Sequence, residues 1–159
     1  MIISNNKKEN EMLLNINNDI YRIVKGLNEI EDFKRLLICT DYNTSNEKDL
    51  SIDLIDKIIV RIPLVPNTDT STCVVTLNQA IPKKDTYYIE LNIDIYTPFN
   101  QWLVKEGVRP MLLCNCVKNF MRGLTQTNGV RYRLKGVSNC SIGSDLKGYR
   151  LLYHTIIDK

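Results

Sequence analysis

The sequence predicts an α+β fold. It is a mostly antiparallel sheet of about five strands, packed by an N-terminal helix (or two) and one internal helix, in the order α(α)βββαββ. Three observations predict it. Residues 86–97 alternate strictly, with Tyr87, Ile89, Leu91, Ile93 and Ile95 to one side and Tyr88, Glu90, Asn92, Asp94 and Tyr96 to the other, as a half-buried strand requires. Arg109-Pro110 then opens a stretch with helical apolar spacing, because proline is tolerated in a first turn whose N–H groups lack partners anyway. The remaining β-branched runs follow one another across turn signals instead of alternating with helices, which favours hairpins over a doubly wound parallel sheet.

Residues 1–11 are polar and charged, with too little apolar surface to fold on, and read as a flexible N-terminal arm. Residues 12–159 read as a single domain. From Met12, the residues Ile16, Ile20, Ile23, Val24 and Leu27 recur at intervals of three and four, giving an amphipathic helix. Asn17, Asn18 and Asp19 are N-caps for a later start. Glu31 and Asp32 precede Phe33, Leu36 and Leu37 while Lys34 and Arg35 follow, the charge order a second short helix prefers along its dipole. Residues 41–51 are loop by composition. Residues 57–65 alternate as a strand that Pro63 must end or confine to an edge. Pro66-Asn67 predicts an antiparallel pairing of that strand with 72–79.

After the strand 86–97, residues 100–108 hold a helical turn carrying Trp102. The helix from Pro110 directs Leu113, Val117, Phe120 and Leu124 inward, with Gly123 as its natural stop. Asn128-Gly129 turns the chain into a strand over 130–135, whose apolar face is Val130, Tyr132 and Leu134 and whose other face is wholly basic. A turn over 143–148 leads to a last strand, 148–158, apolar enough to lie well inside the sheet.

A chain of 159 residues, 43% apolar and 25% charged, suits one soluble domain that needs no metal or disulfide staple. No apolar run reaches the roughly 18 residues of a membrane span. The N-terminus lacks the apolar stretch and small-residue cleavage site of a secretory signal, so a reducing cytosol is expected. The five cysteines are odd in number and scattered among apolar neighbours, which suits free thiols. Cys114-Asn-Cys116 is not a zinc or redox spacing, and His154 alone leaves zinc short of ligands.

There is no glycine-rich phosphate cradle and no G-x-S-x-G elbow, and His154 is the single imidazole available as a base. The expectation is a protein that is not an enzyme, with no catalytic residue, cofactor or metal. Glu90 and Asp94 share a strand face, but a solvated sheet explains them more simply than bound Mg²⁺. Arg131, Arg133 and Lys135, with Arg150 on the neighbouring last strand, form the clear basic patch. Two readings stay open for it: phosphate neutralisation in a small nucleic-acid-binding protein, or pairing with Glu90, Asp94 and Asp145 across strands or subunits.

The order of elements, the stretch YTPFNQW after the long strand, Val108-Arg109-Pro110 at the helix start and the closing GYRLLYHTIID together resemble the neck proteins of tailed bacteriophages. The nearest likeness is to tail-terminator, tail-completion and related head-tail connector proteins, over about residues 12–158. This resemblance implies a structural virion protein, assembled in the host cytoplasm, that forms a homo-oligomeric ring, often a hexamer. The ring would end the tail tube or join it to the portal and adaptor. Its implied partners are further copies of itself and portal, adaptor or tail-tube proteins, with non-specific DNA contact in the lumen and no membrane. Arg131, Arg133 and Lys135 would then meet a neighbour's Glu90 and Asp94, or line the lumen.

Overall fold

Strand β3 (Thr86–Pro98) is the centre of the sheet, and its strict alternation decides everything around it. The computed structural model of the chain describes residues 2–43, 58–59, 69–128 and 131–158. Among these residues three helices precede or interrupt the strands: α1 (Ile2–Asn28), α2 (Glu31–Ile38) and α3 (Arg109–Asn128). The other strands are β1 (Ile58–Ile59), β2 (Thr72–Pro82), β4 (Leu103–Val104), β5 (Gly107–Val108), β6 (Arg133–Ile142) and β7 (Leu146–Asp158). The main sheet runs β1-β2-β3-β7-β6, while β4 and β5 form a separate two-stranded hairpin. The α+β class and the antiparallel β2-β3-β7-β6 core are as the sequence predicts.

One face of β3 carries Ile89, Leu91, Ile93 and Ile95, all fully buried against the helices. Each such side chain contributes roughly 1.5–3 kcal/mol on leaving water. Opposite them lie Ile16, Ile23 and Leu27 of α1, Phe33 and Leu37 of α2, and Leu113, Val117 and Met121 of α3. Helices α1 and α3 cross closely at Gly26, where the Phe120 ring occupies the space a Cβ would need. A similar approach fixes β7 to β3: Gly148 pairs with Tyr96, and a Cβ there would run into the Ile95 carbonyl. On the other face a smaller apolar cluster of Val74, Tyr96 and Leu146 closes one end of the sheet.

Several boundaries differ from expectation. Residues 2–11 are not a separate arm but the opening turns of α1, which starts at Ile2 and not at Met12 or Asn17. Polar turns of this kind propagate readily once packing has nucleated the rest of the helix. Helix α3 runs past Gly123 to Asn128. Leu124 is buried one residue after the glycine, and the Thr125 hydroxyl donates back to the Met121 carbonyl. Strands β1 and β2 pair in parallel, not as a hairpin. The connection 60–71 has the dozen residues a parallel crossover needs, and the expected turn at Pro66-Asn67 lies outside the described residues. Residues 100–108 form a short 3-10 turn (Phe99–Gln101) followed by the β4-β5 hairpin. The basic strand begins at Arg133 and extends to Ile142, with Gly143 in a left-handed turn before β7.

Candidate functional site

The face of β3 turned away from the helices carries the acids that the sequence singles out. Glu90 is 2% exposed and Asp94 is 1% exposed, unusual burial for carboxylates on a sheet surface. Each is paid for by a dense set of partners. Asp94 accepts two parallel hydrogen bonds from Arg150 of β7, both 2.8 Å, and a third from the Tyr96 hydroxyl at 3.1 Å. Those bonds raise the pKa of the Arg150 guanidinium further above its ordinary value. Glu90 accepts from Lys135 at 2.6 Å, from Tyr88 at 2.8 Å and from Asn78 at 2.9 Å, and also from Gln79. The Lys135 ammonium is the main reason that its carboxyl is held down at about 2, with the neutral donors adding to it against the cost of burial.

Lys135 reaches Glu90 from two strands away, across β7, because of a bulge. The β6-β7 register slips between Leu134 and Gly136, so Lys135 is the extra residue. Its ammonium also lies 5.5 Å from the centre of the Tyr88 ring. The two acids therefore work within the chain, tying β3 to β7 and β6. A neighbour's cations would find Glu90 and Asp94 already paired. Arg131 and Arg133 are exposed, without an ion-pair partner among the described residues. The expected basic row is thus divided between one internally paired cation and two free ones.

A second arrangement was visible in the sequence as a helix opening only. Arg109 is 0% exposed and donates to four backbone carbonyls: Leu36 at 2.8 Å, Gln101 at 2.9 Å, Asp41 at 3.0 Å, and Cys39. Among the described residues no carboxylate bonds to it. Burial lowers its pKa from the ordinary value, although guanidinium remains charged. One side chain thus joins the end of α2, the chain after it, the 3-10 turn and the first turn of α3. The β4-β5 hairpin is anchored beside it: Arg109 N–H donates to the Trp102 carbonyl, Lys105 N–H to the Tyr42 carbonyl, and Arg35 pairs with Glu106 at 3.2 Å.

This clamped end displays large apolar side chains to solvent. Leu103 is 70% exposed, Phe99 68%, Tyr42 63% and Met111 50%. Phe99 and Trp102 are ring neighbours, and Trp102 continues to Tyr149. Solvated apolar groups on a rigid frame are the usual mark of a contact surface. The five cysteines carry no disulfide, and Cys39, Cys73 and Cys114 are buried. Burial pushes the Cys114 thiol up to about 12, which makes it inert. Among the described residues no group of three or more His, Cys, Asp or Glu is placed to hold a metal ion, and no helix is long and apolar enough to cross a membrane.

Comparison with curated proteins returns no match. The sequence model of the YomW family matches residues 31–155, from the start of α2 almost to the end of β7, and so includes the Arg109 clasp, the hairpin and the paired acids. With the sheet, α2, α3 and both polar networks inside that span, the chain belongs to the YomW family of phage-related proteins.

Proposed function

We propose that the protein is a structural component of a tailed-phage head-tail junction, a ring subunit that ends the tail tube or joins it to the portal and adaptor. The observation that carries this reading is the apolar end, where Phe99 on the 3-10 turn and Leu103 on the adjoining β4-β5 hairpin stand in water beside the Arg109 clasp. A surface of this kind gains by being covered, and a ring subunit needs one toward the next ring as well as toward its neighbours. Membership of a phage-related family supports the same reading. The sheet face adds a stiff base, since its acids are consumed by internal pairing.

The test is assembly. Purified protein, alone and mixed with tail tubes, is followed by mass photometry and negative-stain imaging. Wild type is expected to form rings or to dock on tubes, and Phe99→Asp with Leu103→Asp is expected to stay folded and to lose docking on tubes. A double variant that assembles and docks like wild type would refute the role of this surface. The nucleic-acid reading keeps Arg131 and Arg133 as free cations but has lost Lys135 to Glu90. It would require salt-dependent DNA binding that disappears when both arginines become alanine.

A further inference from the structure

The helical layer does not cover the whole sheet. Between α3 and the edge strand β6 there is a groove of about 350 Å³ with Met121, Tyr132 and Leu134 on its floor. Leu134 and Val137 are three residues apart, yet the bulge at Lys135 places both on the helix side of the sheet, opposite Tyr153 and Leu151. Val137, 53% exposed, thus prolongs the apolar track along β6 beyond the groove. The rim is basic: Lys118 and Arg122 one turn apart on α3, and Arg133 on β6. All three are exposed, and none has an ion-pair or hydrogen-bond partner among the described residues. Tyr153 also lines the groove; it is 3% exposed, and its buried hydroxyl has no hydrogen-bond partner among the described residues. A hydroxyl buried without a partner carries a desolvation cost that an arriving polar group would remove.

We infer that this groove receives the acidic, apolar segment 46–56 of a second copy of the chain. That segment reads NEKDLSIDLID, with Leu50, Ile52, Leu54 and Ile55 for the floor and Glu47, Asp49, Asp53 and Asp56 against a single lysine for the rim. It runs into β1, the sheet edge opposite β6. Four strand spacings separate the two edges, about 19 Å. A copy placed head to tail brings its β1 edge to its neighbour's groove, whereas within one chain β1 and the groove lie at opposite edges of the sheet. Such a contact is heterologous, with different surfaces on the two sides, as a closed ring requires. This inference rests on the self-assembling subunit proposed above and supplies its lateral contact.

The test uses a fluorescent synthetic peptide of residues 46–56, titrated into the full chain carrying Asp49→Asn, Asp53→Asn and Asp56→Asn so that its own segments do not compete. Saturable binding is expected. It should weaken about tenfold or more in added Lys118→Glu/Arg122→Glu, and again when salt screens the rim. Tyr153→Phe should weaken it several-fold while leaving thermal stability unchanged or higher. A peptide with Leu50, Ile52 and Leu54 replaced by serine should not bind. Absence of saturable binding, equal binding by the groove variants, or a DNA duplex that occupies the rim where the peptide does not would overturn the inference. Mass photometry of the wild type separates the two proposals: rings without peptide binding reject this groove alone, and specific peptide binding supports it even if no ring closes.

Discussion

Glu90 shows how a single side chain on an ordinary strand can set the acid limit of the fold. Its carboxyl is held at about 2 against an ordinary 4.5, so the folded chain binds fewer protons than the unfolded chain in that interval. The stabilisation is complete above about pH 4.5 and is lost as pH falls toward about 2. Urea titrations across that interval should show stability falling, with a shallower fall in Lys135→Met, which removes the main cause of the shift. Gly148 makes a steric case. An alanine there would meet the Ile95 carbonyl, and Gly148→Ala should cost about 3 kcal/mol or more in denaturant unfolding. The alternation of β3 made Glu90 and Asp94 legible as neighbours on one face, and Arg150 legible as adjacent. The depth of Glu90 was not legible, because its partners are Tyr88 on the same strand and Asn78, Gln79 and Lys135 converging from other strands.

At the level of elements, period decides what a sequence reveals. The two-residue period of β3 gave that strand nearly to the residue, and the helical spacing after Pro110 gave the start and the inward face of α3. The start of α1 and the end of α3 escaped because polar turns and a lone glycine carry no period, and neighbouring packing extends the helix through them. Parallel pairing of β1 escaped for a different reason: strand direction depends on the path of the connection, which residue types do not record. The Arg109 clasp lay hidden in the same way, since its acceptors are backbone carbonyls and have no sequence signature. Arg109→Met would keep the apolar stem but leave four carbonyls short of a donor. A loss of about 3 kcal/mol is expected, with hydrogen exchange rising first in the β4-β5 hairpin and the end of α2.

The whole molecule is a single-layer sheet with helices on one side and its polar cross-ties on the other. If its apolar end and its basic groove are both covered in an assembly, stability becomes a function of concentration. The thermal midpoint of wild type should climb as protein concentration is raised tenfold, while that of a variant combining Leu103→Asp with Lys118→Glu and Arg122→Glu stays fixed; scanning calorimetry at two concentrations reads the difference. The internal pairing of β3 with β7 runs the whole length of both strands, from Thr86 opposite Asp158 to Pro98 opposite Leu146. Antiparallel hydrogen bonds lie across the strands, so a pull directed along them must shear the entire row together, with no end bond to open first. Asp94 and Arg150 add a charged rivet in the middle of that row. Tension along β3 therefore meets a direction in which the chain resists lengthening, because the whole row must yield at once.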